Sequence, residues 1–216
     1  MKIYRNIYKL IISPENLFEA WEIFKHDKRN RPDVEAFEKN VEREILKLAR
    51  KLRDKSYRHG PYRGFWVRDP KLRRIHKATV LDRVLHHAIF KILNPIFEPT
   101  FIPASFSCRV GKGTHKGVEY LAHTLRAVSK NSTQPCYALK CDIRKFFDTI
   151  DHDILLRILE KRIVDPDTCG LMGEIIESYT AGLPRERERE RERVKIRREK
   201  EYQLAILRAS FSPTFI

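Results

Sequence analysis

The stretch LKCDIRKFFDTIDH, residues 139–152, carries the reading that decides the fold. With Tyr137 and Ala138 ahead of it, YALKCDI at 137–143 is an almost unbroken run of apolar and β-forming residues, which predicts a buried strand ending near Asp142. Two aromatics, Phe146 and Phe147, come next, and Asp151 then stands where a helix N-cap belongs. The helix it opens would turn Ile154, Leu155, Ile158 and Leu159 inward. Asp148, Asp151 and Asp153 read as caps and surface charges.

Upstream, helical spacing dominates. In SPENLFEAWEIF, residues 13–24, Ser13 can cap, Pro14 suits the first helical position, and Leu17, Ala20, Trp21 and Phe24 share one face. A second helix is predicted from Pro32, with Phe37, Val41, Ile45, Leu48 and Leu52 on its apolar stripe. Gly60, Pro61 and Gly64 interrupt this pattern. GPYRGFWVRDPKLRRIHKATV then alternates short aromatic and β-branched pieces around a turn at Asp69-Pro70, which predicts a basic hairpin. LDRVLHHAIFKIL returns to helical spacing and is expected to stop before Pro95, and further helices are predicted after Gly113 and from Pro166 to Tyr179. Strands and helices together predict an α+β fold. Past Pro184 the chain becomes RERERERER and VKIRREK, without an apolar period, so that segment does not belong to the core.

The composition narrows the function classes. A formal net charge of +15, from 44 Lys+Arg against 29 Asp+Glu, favours a polyanionic partner, nucleic acid before an anionic membrane. Charge interrupts every apolar run well short of the roughly 18 to 20 residues that a spanning helix requires, and MKIYRN leads into no signal-peptide core, so the expected compartment is the cytoplasm and no membrane partner is expected. Cys108, Cys136, Cys141 and Cys169 form no CxxC pair, which predicts reduced thiols used for packing.

A lone aspartate at a strand end is most often a turn residue. Its neighbourhood alters that reading, because a carboxylate closing a buried strand, with an aromatic and a helix after it, is where a polymerase palm would hold a catalytic metal. LKCDIRKFFDTIDH resembles the block of reverse transcriptases that bears the first catalytic aspartate. The resemblance implies that Asp142 is a metal ligand, that the Ile143 carbonyl is a second ligand for Mg²⁺, and that Phe147 excludes a 2′-hydroxyl and so selects deoxynucleotides. DPKLRRI is similar to the fingers hairpin whose cations grip the incoming triphosphate, with Lys71 and Arg73 as the candidates; the plainer reading is a solvated basic hairpin. LDRVLHHAIFKILNPIFEPTF and SFSCRVGKGTHKGVEYL also look like this family, with the Gly111–Thr114 turn meeting template backbone. GKGT does not have the spacing of a P-loop, since Gly113 and not a lysine stands directly before Thr114.

The resemblance covers about residues 15 to 184 and looks most like the bacterial enzymes of diversity-generating retroelements, with retron and group II intron enzymes nearby. It implies a right-hand polymerase, with an N-terminal helical region at 1–59, fingers at 60–135 and a partial palm at 136–184. The implied partners are an RNA template, a DNA or RNA primer and deoxynucleoside triphosphates. A non-catalytic basic RNA-binding protein derived from a polymerase is the alternative.

The family's next blocks, PxGxxxSQxxxN and then YxDD, are not found in the printed frame. One permitted codon choice for Glu201–Ile216, read from one nucleotide earlier with Lys200 as AAG, encodes GIPIGNLTSQLFANIYL, which carries the first of them. Alternating AGA and GAG codons at 185–193 would form a GA repeat that encodes Arg and Glu alternately in every frame. The expectation is therefore a palm interrupted by a slipped repeat, and a short chain without polymerase activity, since it holds one of the family's three catalytic carboxylates.

Overall fold

The computed structural model describes residues 2–143 and 146–181, and for Phe147, Asp148, Thr180 and Ala181 it describes backbone alone. The Arg-Glu run and the tail, 185–216, lie outside the described residues. Helices dominate, with one two-stranded antiparallel sheet, so the class is mixed α and β as expected. The described residues fall into two compact units, one of residues up to Ile89 together with those from Phe147 to Ala181, the other within Phe90–Phe146.

The first unit is organised around the helix that Ser13 caps. Its hydroxyl accepts from the Asn16 N–H at 3.2 Å, Pro14 occupies the first turn, and α2 runs Pro14–Lys25 after the short α1 at Tyr8–Ile11. Leu17, Ala20, Trp21 and Phe24 are all buried, as their spacing predicts. The expected single helix from Pro32 is instead two, α3 at Pro32–Glu38 and α4 at Val41–Arg53. The break falls at Asn40, which has left helical geometry at φ −131° and ψ 22°. A short polar side chain gives little support to a helix interior. The bend lets Phe37 on α3 lie 5.0 Å from the Trp21 ring while Ile45, Leu48 and Leu52 of α4 stay fully buried. Truncating a core aromatic such as Trp21 costs about 3–5 kcal/mol in packed interiors.

The chain start is held against a distant segment. Tyr4 forms a parallel bridge with Ile163, with Tyr4 N–H donating to the Arg162 carbonyl at 2.8 Å and Val164 N–H to the Tyr4 carbonyl at 2.9 Å. Helix α5, Val80–Phe97, does not stop before Pro95 but carries it in its last turn. Proline there removes one hydrogen bond close to where the helix ends anyway, and a single 3₁₀ turn at Glu98–Thr100 follows. Helix α7, Phe146–Thr149, is one turn long. Asp151 caps α8, His152–Glu160, by accepting from the Ile154 N–H at 3.0 Å. Its expected inner face is only partly inward, since Ile154 and Ile158 are about half exposed. Helix α9, Pro166–Ala181, completes this unit and packs on α8.

The second unit holds a loop and helix α6, Thr114–Val128. Arg109 organises the loop. Its guanidinium donates to Glu98 Oε1 at 2.8 Å and to the Ile102 and Ser105 carbonyls at 3.1 and 3.0 Å. The expected buried strand at 137–143 is not formed. These residues are irregular, with Tyr137 93% and Leu139 90% exposed, because a strand requires a neighbour for its backbone groups and the described residues supply no third strand. Nor do the thiols all serve packing: all four are free, and Cys108 and Cys141 are exposed.

Candidate functional site

The hairpin forms where the alternation places it. Strand β1 runs Arg63–Asp69 and β2 runs Lys71–Lys77, joined at Pro70, whose ring suits a turn and whose missing N–H costs the ladder nothing there. The register pairs Asp69 with Lys71, Val67 with Arg73 and Phe65 with Ile75. Directly opposed residues share a face, so Lys71 and Arg73 project on the same side of the ribbon. Both are exposed, as are the seven residues of β1. An exposed pair of cations on a ribbon held at its base can bind a polyphosphate without losing internal partners.

The base of the ribbon is fastened from two sides. The Asp33 carboxylate, at the start of α3, receives Lys77 Nζ and an Arg83 guanidinium nitrogen, each at 2.6 Å. Partial burial alone would raise the Asp33 pKa, but these two cations hold it below the ordinary carboxylate range. On the other side, Tyr62 meets the Tyr179 ring edge-on at 5.6 Å, and His76 lies 6.0 Å from the same ring.

A polar network that the sequence reading missed sits where the ribbon joins α5. Asp82 is 2% exposed and accepts from Tyr57 Oη at 2.8 Å, Thr79 Oγ1 at 2.6 Å and Gly60 N–H at 3.1 Å. The Thr79 hydroxyl in turn accepts from Asp82 N–H at 3.2 Å, a capping box in which Asp takes the place of Glu. The threonine three residues before an acid, ahead of an apolar run, was the available signal. Burial, with Asp82 alongside, pushes the Tyr57 hydroxyl far above its usual pKa. His59 stacks on His86 with ring centres 5.3 Å apart, and the Nε2 atoms of both are buried with no hydrogen-bond partner among the described residues. Burial and the neighbouring His59 lower the His86 pKa to about 4.

Asp142 and Ile143 belong to the second unit, and Ile143 is 64% exposed. The side chain of Phe147 lies outside the described residues, although its backbone is in α7. Asp142 offers the hard oxygen that Mg²⁺ prefers. Among the described residues, however, no cluster of three or more His, Cys, Asp or Glu side chains is arranged to hold a metal ion, so they do not furnish a two-metal centre. The Gly111–Thr114 turn is open, with Gly111 at φ +72° and Gly113 at φ +108°, and Lys112 Nζ donates to the Pro103 carbonyl. No helix among the described residues is long and apolar enough to cross a membrane.

The sequence profile of the reverse transcriptase (RNA-dependent DNA polymerase) family matches residues 67–206, more than half of the chain and inclusive of Lys71, Arg73, Asp142 and Phe147. The chain belongs to the reverse transcriptase family. Curated relatives agree. The chain is 25% identical over 182 residues to Protein YkfC of Escherichia coli, covering 81% of the chain and 47% of that relative. It is 21% identical over 170 residues to the group II intron-encoded protein LtrA of Lactococcus lactis, covering 76% of the chain and 27% of LtrA. A nuclear intron maturase of Arabidopsis thaliana is 29% identical over 105 residues, 47% of the chain and 14% of the maturase. The chain thus spans less than half the length of these relatives.

Proposed function

We propose that this chain is the nucleotide-gripping front portion of a right-hand RNA-directed DNA polymerase, with its N-terminal helices at 1–59, fingers at 60–135 and the start of a palm at 136–184. The observation that carries this reading is the β1–β2 register, which sets Lys71 and Arg73, both inside the segment matched by the family, on one exposed face of the ribbon. Fixed positive charge at that place neutralises a triphosphate and the pyrophosphate that develops from it, and the planar fork of Arg73 orients it. Phe147 would then screen the 2′ position of the sugar. The Asp142 carboxylate and the Ile143 carbonyl are the groups that would hold Mg²⁺, and the chemistry the ion would supply there is acidification of a primer 3′-hydroxyl and neutralisation of phosphate charge. No step is assigned through it, because the described residues supply too few ligands. The partners of this activity are an RNA template, a DNA or RNA primer and deoxynucleoside triphosphates.

The same reading makes the 216-residue chain inactive by itself, since one carboxylate does not hold two metal ions. Primer extension on an RNA template with Mg²⁺ tests both statements. The short chain is expected to yield no product, and a chain whose coding sequence continues in the shifted frame after Lys200 is expected to extend the primer, with loss of activity in Asp142→Asn. Asp142-dependent synthesis by the short chain would overturn its inactivity. A shifted frame that encodes no PxGxxxSQxxxN and YxDD blocks, or a frame-restored chain that binds RNA without extending a primer, would replace the polymerase with the RNA-binding alternative.

A further inference from the structure

The ribbon is a long arm with little support along its length. Every residue of β1 is exposed, and in β2 only His76 and Lys77, at the base, are partly covered. A two-stranded sheet by itself is marginal, so its direction is set where it meets the rest of the first unit. At the β1 end, Tyr62 Oη lies 3.3 Å from Ser178 Oγ on α9, and the Tyr62 ring is edge-on to Tyr179. At the β2 end, Lys77 Nζ and the Arg83 guanidinium meet on a single oxygen, Asp33 Oδ2. Arg83 is itself fixed. Its guanidinium carbon sits 4.9 Å from the centre of the Phe24 ring, which is 1% exposed, and its Nε donates to the Thr79 carbonyl at 3.4 Å. Asp33 thus links the last residue of the ribbon to a cation seated on the core.

With Lys71 and Arg73 in the gripping role already proposed for them, we propose that Asp33 is a positioning residue. By holding Lys77 against Arg83 it fixes the tilt of the ribbon, and with it the place at which Lys71 and Arg73 present their charge to a triphosphate. Partly exposed ion pairs add little to stability, and the Asp33 side chain is 39% exposed. Direction is another matter. The strand from Lys77 to Lys71 is about 20 Å long at ~3.3 Å per residue, so a tilt of about 10° at the base moves the tip by roughly 3 Å. Misplacement of a binding group by ~1 Å can cost an enzyme about 100-fold. Charge alone makes the opposite prediction. Asp33 occupies two cations, so its removal would free Lys77 and Arg83 and tighten the binding of a polyanion. Positioning requires that the same change weaken it.

Inorganic tripolyphosphate is the probe, titrated by calorimetry into the full chain at about 0.1 M salt, so the test needs neither metal nor synthesis. Asp33→Asn is expected to bind it roughly 5- to 50-fold more weakly than the parent, and Asp33→Glu, which keeps the carboxylate, within about threefold of it. In parallel, the decay of tryptophan anisotropy follows the ribbon, because Trp66 on β1 is 63% exposed while Trp21 in the core is 2% exposed. Asp33→Asn and Lys77→Met should each enlarge its nanosecond component, and Asp33→Glu should leave it as in the parent. Melting temperatures of all three variants should move by less than about 4 °C. Where Lys71→Gln with Arg73→Gln weakens tripolyphosphate binding, Asp33→Asn binding as tightly as the parent, or more tightly, overturns the proposal. So does an affinity loss that tracks a loss of melting temperature across the variants. If instead the Lys71 and Arg73 double variant binds like the parent, the gripping role is lost. The anisotropy of Asp33→Asn then decides alone, and an unchanged decay means that Asp33 does not set the ribbon's tilt.

Discussion

The Asp165 carboxylate accepts a hydrogen bond from the Tyr8 backbone N–H at 2.9 Å, joining positions 157 residues apart. Its other oxygen takes the Thr168 N–H at 3.4 Å, so one buried side chain both caps α9 and ties down α1. Tyr8 in turn donates its hydroxyl to the Leu52 carbonyl at 2.7 Å, which fastens the same point to the end of α4. Burial alone would raise the Asp165 pKa, but the N–H groups of Tyr8 and Thr168 outweigh it and hold the carboxyl below its ordinary value.

Asp165→Ala should destabilise the first unit by about 2–4 kcal/mol, the sum of a lost cap and a buried N–H left unpaired. Asp165→Asn, which keeps one acceptor oxygen, should lose about half as much. Urea midpoints at neutral pH measure both. Equal losses in the two variants would show that charge, and not the second acceptor, is what matters.

Gly60 is required by a close approach. A Cβ at this position would stand 2.7 Å from Asp82 Oδ2 and 2.9 Å from Thr79 Cγ2, and Asp82 is not free to retreat because three donors hold it. Gly60→Ala should cost about 1–3 kcal/mol, as overpacking of a rigid site does. Gly64→Ala meets the movable end of Arg74 and, at an ordinary contact distance of 3.6 Å, the His76 ring, and should change stability by less than about 1 kcal/mol. Thermal melts of the pair decide this; similar losses would refute the distinction.

Stability should fall between pH 6.5 and about 4. His86 has its pKa lowered to about 4 from 6.5, by burial first, then by His59, with His87 and Arg83 adding and Asp82 opposing. The unfolded chain therefore binds a proton in this window that the folded chain refuses, so the stabilisation is complete above pH 6.5 and declines as pH drops toward 4, by at most about 3 kcal/mol. His87, also lowered by burial, acts in the same direction. Asp33 and Asp165 sit below 3.8 and withdraw their contributions only at lower pH, which leaves the window to the histidines. His86→Phe should flatten the melting temperature across it. An unchanged slope in that variant would reject the assignment.

Local chemistry was legible wherever a signal is short in sequence. Ser13 and Pro14 at the start of α2, the turn at Asp69-Pro70 and the Asp151 cap all stand where spacing put them, because caps and turns are satisfied by atoms a few residues away. The same locality made the Lys71 and Arg73 face readable, since strand alternation decides it.

Three features were not legible. Whether YALKCDI pairs as a strand depends on neighbours that its own residues do not name, and among the described residues it has none. The break at Asn40 follows from what Phe37 and Ile45 must each reach in the core, not from the apolar stripe they share. The histidine stack and the Asp165 tether join residues far apart in the chain, with partners chosen by packing. The sequence by itself determined the family, the hairpin and the candidate residues Lys71, Arg73, Asp142, Ile143 and Phe147. Only the tertiary structure decided which polar groups are buried against one another, because burial is a property of the packed chain and not of any segment within it.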